Sequence, residues 1–114
     1  MNYFFKKIGA KKINHVAVAT YNMHRVIKDW LSLPGSKLAS KPLKNKKQGV
    51  NCAFIKLNNN FMIEILSPLG KKSPISKHLK KGGGVYHFCF EVEDIFKSIK
   101  LADDLGAKLI SKPL

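Results

Sequence analysis

The sequence predicts an α+β domain assembled from two copies of one supersecondary unit, and three observations predict it. A short alternating apolar run carrying a histidine occurs twice, at Ile13-Asn14-His15-Val16-Ala17-Val18-Ala19-Thr20 and at Val85-Tyr86-His87-Phe88-Cys89-Phe90-Glu91-Val92. Each run leads into a helix-like stretch with Ile27 or Ile99 at matching positions, and each closes on a glycine turn, Gly35-Ser36-Lys37-Leu38 or Gly106-Ala107-Lys108-Leu109. The histidines stand 72 residues apart and the turn glycines 71, so a single indel reconciles the copies. Self-similarity at a fixed period marks a repeated structural unit, and an imidazole at the same point of each copy points to one site near a pseudo-twofold axis.

In the first copy, His15, Ala17 and Ala19 alternate with Val16 and Val18, which predicts a strand over about 12–19. Asn22 can cap a helix over about 23–33, whose apolar stripe is Met23, Val26, Ile27, Trp30 and Leu31, and Pro34-Gly35 stops it. A weak strand is expected near 37–41, then a basic loop from Lys41 to Lys47. Gln48 to Leu57 reads as a strand, Asn58-Asn59-Asn60 as a hairpin turn tolerant of positive φ, and Phe61 to Leu66 as the return strand. A connector follows, with a short helix from Ser73-Pro74 to about Lys80 and a flexible Gly82-Gly83-Gly84 that lacks the spacing of a phosphate loop. The second copy repeats the order, with a strand over about 85–92, a helix to about 105, Gly106 as its C-cap and a strand from 108. Residues 1–11, basic and aromatic, show no clear period. The domain organisation expected is a basic extension over 1–12 and one domain over 13–114, with module one at 13–67, a connector at 68–84 and a partial second module at 85–114.

Composition narrows the partners. The 114 residues, 45% of them apolar, suit one globular domain. Twenty lysines and the single Arg25 against seven acids give a formal charge of +14, which favours anionic partners. The lysines are scattered in pairs without interleaved aromatics, and arginine is nearly absent, so nucleic acid is an unlikely partner. No 18-residue apolar run offers a membrane span. Cys52 and Cys89 lie inside apolar alternations and read as reduced packing residues, and the expected setting is the cytoplasm.

Three residues could carry chemistry. Glu64 lies in Phe61-Met62-Ile63-Glu64-Ile65-Leu66, where a carboxylate is costly unless paired or bound to a cation. Alone, Glu64 could face solvent, and His15 or His87 could be a hydrogen-bonded core histidine. Their repeat-related placement favours a shared role. His24 reads as solvated, His78 as part of a basic helix, and Trp30, Phe88 and Phe90 as core.

From Ile13 onward the chain resembles the glyoxalase and methylmalonyl-CoA epimerase branch of the vicinal oxygen chelate superfamily. The residues that carry the resemblance are Ile13 to Ala19, Gln48-Gly49-Val50, Ile63-Glu64-Ile65-Leu66-Ser67-Pro68-Leu69, Ser73-Pro74-Ile75-Ser76-Lys77 and Tyr86 to Ile95. The resemblance implies a glyoxalase-like fold of paired βαβββ modules, the second truncated after its first two strands. It implies His15, Glu64 and His87 as ligands of a divalent metal (Co²⁺, Mn²⁺, Ni²⁺ or Zn²⁺) and Gln48 as a substrate contact. The implied activity is that of a metal-dependent isomerase or lyase, most like a methylmalonyl-CoA epimerase shifting a proton α to a thioester carbonyl, with the CoA phosphates meeting the basic surface. A lactoylglutathione lyase-like enzyme and a non-catalytic antibiotic-binding protein are the alternatives. The family's fourth ligand, a glutamate on the last strand of the second module, falls near residue 136, roughly 20 residues past Leu114. The chain departs from the family at Tyr86, where a second histidine is frequent, and at Cys52, where some epimerases place a strand carboxylate as base. A sheet lacking two strands exposes a pairing edge, so the expectation is a longer natural chain or a homodimer.

Overall fold

A computed structural model describes residues 3–113. The chain falls into two compact units, Asn14–Cys89 and the described parts of 1–13 and 90–114. The elements in chain order are α1 (Phe4–Lys7), β1 (Ala10–Ala19), α2 (Met23–Leu31), β2 (Lys37–Asn45), β3 (Val50–Lys56), β4 (Met62–Pro68), α3 (Ser76–Lys80), β5 (Gly84–Val92) and α4 (Ile95–Asp104).

The larger unit is a sheet with strand order β2-β3-β4-β1-β5. β1 runs parallel to β4, with His15 opposite Met62, Ala17 opposite Glu64 and Ala19 opposite Leu66. β4 runs antiparallel to β3, with Phe54 opposite Glu64 and Cys52 opposite Leu66. Side chains alternate between faces along a strand, so these rungs sort the sheet into two surfaces. On one, α2 covers Ala53, Ile55, Ile63 and Ile65 with Met23 and Ile27, and Val16, Val18, Val26 and Trp30 pack around them. The other carries His15, Ala17, Ala19, Cys52, Phe54, Glu64 and Leu66. Its far end is closed by Ile75 and Leu79 packing on Ala17, Ala19, Val50 and Leu66.

Local chemistry sets the element ends. The Asn22 side chain accepts a hydrogen bond from the Arg25 amide at 3.2 Å, capping α2 as its sequence position predicts. Asn60 takes φ +67° at the β3–β4 hairpin, a conformation asparagine tolerates. At Gly83 the backbone itself demands glycine: φ is +72° and an added Cβ would lie 3.0 Å from the Ala19 carbonyl oxygen. That turn is fixed further by the Gly83 amide donating to the His78 carbonyl at 3.1 Å.

In the smaller unit, Asp94 caps α4 by accepting from the Phe96 and Lys97 amides, both at 3.1 Å. The Ser98 hydroxyl donates to the Ile8 carbonyl, and Phe5 stacks on Phe90 with ring centroids 4.6 Å apart. Lys11 pairs with Glu93 and Lys12 with Glu91 across exposed surface.

Several elements differ from the sequence expectation. Phe4–Lys7 forms a helical turn and β1 starts at Ala10, because main-chain pairing there does not need an apolar alternation. β2 continues through the basic stretch to Asn45, since an edge strand has one solvated side where lysines are at home. Pro42 is accommodated where the β2–β3 register slips between Ser40 and Leu43, so its missing N–H costs no ladder bond. The strand expected from 108 is not formed: residues 107–110 have extended sequence character but no ladder among the described residues, and Ile110 is 92% exposed. Phe88, read as core, is 56% exposed on β5. Trp30 does pack into the core. No helix among the described residues is long and apolar enough to cross a membrane.

Candidate metal centre

Glu64 sits in the middle of β4, an inner strand, with Phe54 on one side and Ala17 on the other. Ala17 offers only a methyl group, which leaves room beside the carboxylate. His15 projects from β1 one rung earlier on the same face, and His87 comes from β5, which lies beyond β1 in the sheet. The three side chains converge. His15 Nε2 is 3.3 Å from Glu64 Oε1, His87 Nε2 is 3.5 Å from the same oxygen, and the two Nε2 atoms are 3.4 Å apart. One ligand atom from each of the three thus lies within 4.8 Å of the other two.

These distances form a nearly equilateral triangle, and a point equidistant from its corners lies about 2.0 Å from each, within the usual range for imidazole nitrogen or carboxylate oxygen on a divalent ion. Proton accounting leads to the same place. His15 Nδ1 lies 2.9 Å from Asn14 Oδ1, a carbonyl oxygen that can only accept, so the ring proton belongs on Nδ1 and Nε2 presents a lone pair. Three potential donor atoms therefore face one another with no proton from His15 between them. A cation at the centre satisfies all three, so the donor set fits a divalent metal.

Burial acts on each group. It raises the Glu64 carboxyl above its ordinary range, with the attraction and hydrogen bond of His87 opposing the rise. It lowers His15. His87 is also lowered, first by burial, with Glu64 pulling it back up and His15 pushing it down. The ordering of exposure is informative: the side chains are 12% exposed for His15, 14% for Glu64 and 41% for His87, so the centre opens toward solvent on the His87 side. Phe54 stands edge-on to His15 with ring centroids 5.4 Å apart, and Tyr86 lies beside His87 at 5.5 Å.

Gln48 is not brought to this centre. It lies exposed in the turn before β3, its Oε1 accepting from Asn45 Nδ2 at 3.2 Å while its amide donates to Asn45 Oδ1 at 3.1 Å. The Val50 rung that follows it pairs with Pro68, four residues of strand or roughly 13 Å from Glu64 along β4. Cys52 is half-buried on the same face as Glu64, and its thiol is pushed up by burial and by the Glu64 charge. Neither Cys52 nor Cys89 is in a disulfide among the described residues. His78 does not hang in solvent: its Nε2 lies 3.3 Å from the Gly84 carbonyl and its ring 5.2 Å from Tyr86. Asn14 and Phe54, which hold His15, escaped the sequence reading. An amide next to a candidate ligand was the available signal for Asn14, whereas Phe54 becomes visible only once the β3–β4 register is known.

The family model of the Glyoxalase/Bleomycin resistance protein/Dioxygenase superfamily matches residues 14–114. The chain belongs to this superfamily. Its relatives there include the mitochondrial methylmalonyl-CoA epimerase of Dictyostelium discoideum, 42% identical over 96 residues that make up 82% of this chain and 57% of that protein. The ethylmalonyl-CoA/methylmalonyl-CoA epimerase of Cereibacter sphaeroides is 35% identical over 101 residues, 87% of this chain and 74% of the relative. The chain thus spans little more than half the length of the first of these. Among solved structures, the Mycobacterium tuberculosis methylmalonyl-CoA epimerase superposes with a TM-score of 0.81 at 23% identity, covering 91% of this chain and 70% of that one. A hypothetical protein from Bacillus halodurans gives 0.78 at 29% identity, covering 88% and 72%. The superfamily fold accounts for the mixed sheet and its helices.

Proposed function

We propose that this chain carries the metal-binding part of the active centre of an epimerase that moves the proton α to the thioester carbonyl of a methylmalonyl-CoA-type substrate. The observation that carries the reading is the convergence of His15 Nε2, Glu64 Oε1 and His87 Nε2 at 3.3–3.5 Å on one face of the sheet, in a chain whose relatives are epimerases.

His15, Glu64 and His87 are the metal ligands in this reading, with Co²⁺, Mn²⁺, Ni²⁺ or Zn²⁺ the ions suited to two imidazoles and a carboxylate. When bound, such an ion supplies Lewis acidity to the substrate oxygens it meets. The chain's own residues do the rest. Ala17 and Leu66 flank Glu64 and Phe54 covers the His15 ring, so these groups exclude water from the inner side, and the more exposed His87 side admits the substrate. Cys52 keeps its proton near neutrality, because burial and the Glu64 charge both oppose thiolate formation. It cannot serve as the base that takes the α-proton, a step that in this reading falls to a carboxylate. Gln48 is kept as a substrate contact reached by the more distal part of the ligand. Residues 13–67 and 85–114 are read as parts of paired modules, the assembly as a homodimer and the setting as the cytoplasm, where cysteines outside disulfides and an acyl-CoA are at home.

The test is solvent deuterium incorporation into methylmalonyl-CoA, run with added Co²⁺. Incorporation that His15→Ala abolishes is the expected result. No incorporation overturns the proposal.

A further inference from the structure

We infer that Asn14 is a positioning residue that holds His15 with its proton on Nδ1 and its Nε2 lone pair facing Glu64 and His87. The inference rests on the reading of these three residues as a metal site and concerns a residue outside it. Successive side chains on a strand point to opposite faces, so neighbours on β1 do not ordinarily bond to each other. Here Asn14 Oδ1 nevertheless lies within 2.9 Å of His15 Nδ1. The pair stands at the end of the β1–β4 ladder, whose register begins at the His15–Met62 rung. Phe54 stands edge-on to the same ring, and Glu64 Oε1 lies 3.3 Å from its Nε2. The imidazole is therefore held from three directions, and among the described residues Asn14 is the hydrogen-bond partner at Nδ1 that sets which nitrogen carries the proton. Among the described residues, the polar contacts of His87 are at Nε2, toward His15 and Glu64.

A second partner that fixes a ligand histidine typically contributes 10–100-fold to metal affinity. The experiment compares the parent chain with Asn14→Ala and Asn14→Asp, the latter keeping an acceptor and removing any donor. The first readout is the ¹⁵N shifts of His15 in the chelator-treated proteins. The parent and Asn14→Asp are expected to show the Nδ1–H form, and Asn14→Ala a mixture with Nε2–H. The second readout is Zn²⁺ affinity by competition with a chromophoric chelator, expected to fall about 10–100-fold for Asn14→Ala and to be restored in Asn14→Asp. An Nε2–H parent, or a His15 tautomer unchanged in Asn14→Ala, overturns the inference. So does an Asn14→Asp variant that loses as much affinity as Asn14→Ala. A parent that shows the Nδ1–H form yet binds no Zn²⁺ overturns the metal-site reading while leaving the role of Asn14 in place.

Discussion

The two copies of the repeat use the same local instructions and reach different degrees of burial. Asn22 and Asp94 stand 72 residues apart, the same interval as His15 and His87, and both cap the helix that follows. Both helices are followed by glycines of positive φ, Gly35 at +81° and Gly106 at +94°. Yet α2 buries Met23 and Ile27 against β3 and β4, whereas the only buried residue of α4 is Ser98. The same contrast separates the strands: Ala17 and Ala19 of β1 are buried, while Val85 and Phe88 of β5 are 55% and 56% exposed. Capping and turn chemistry are local and survive duplication, but burial depends on what packs against the element. His15 thus stands on a strand flanked by neighbours, and His87 on the strand at the end of the order.

Substitutions on the two strands sharpen or break this comparison. The largest effect is expected for Ile65→Ala, which empties a fully buried position on β4 beneath the centre and should cost about 2–5 kcal/mol in urea unfolding. A loss under about 1 kcal/mol would contradict the view that the first copy holds the core. An intermediate effect is expected for Glu64→Gln in chelator-treated protein. Because burial raises the folded-state pKa of Glu64 above its unfolded value, the parent loses stability as pH rises through the window between the two and does not recover it at higher pH. The glutamine variant escapes that loss, so it should match the parent near pH 4, exceed it at pH 8, and still fail to bind Zn²⁺. His15 and His87 act in the opposite sense, their lowered values costing stability as pH falls through the ordinary histidine range, and this remains in the variant. A variant less stable than the parent at pH 8 would sink the argument. The smallest effect is expected for Phe88→Ser, within about 0.5 kcal/mol, as for other exposed positions away from a packed feature. A large loss there would show that β5 is covered after all.

Much of this could be read from residue order. The alternation in β1 and β4 gave their faces, the Asn22 and Asn60 positions gave a cap and a turn, and the repeat gave two histidines that the structure gathers with Glu64, the carboxylate of an apolar strand. What could not be read depends on neighbours. Lys41 to Asn45 looks like a loop because its lysines carry no apolar period, and only the pairing with β3 makes it a strand. Phe88 looks like core because an alternating run does not say whether its strand lies inside the sheet or at its end. Asn14 was hidden for another reason: a bond between adjacent strand residues violates the alternation on which the faces were assigned.

Gly83 carries a consequence of its own. Four residues before His87, the chain passes so close to the Ala19 carbonyl that no side chain fits, and the strand that delivers the third donor is launched from that spot. The start of that strand is therefore gauged by bare main chain, so a residue with no functional group at all bears on where the third donor arrives.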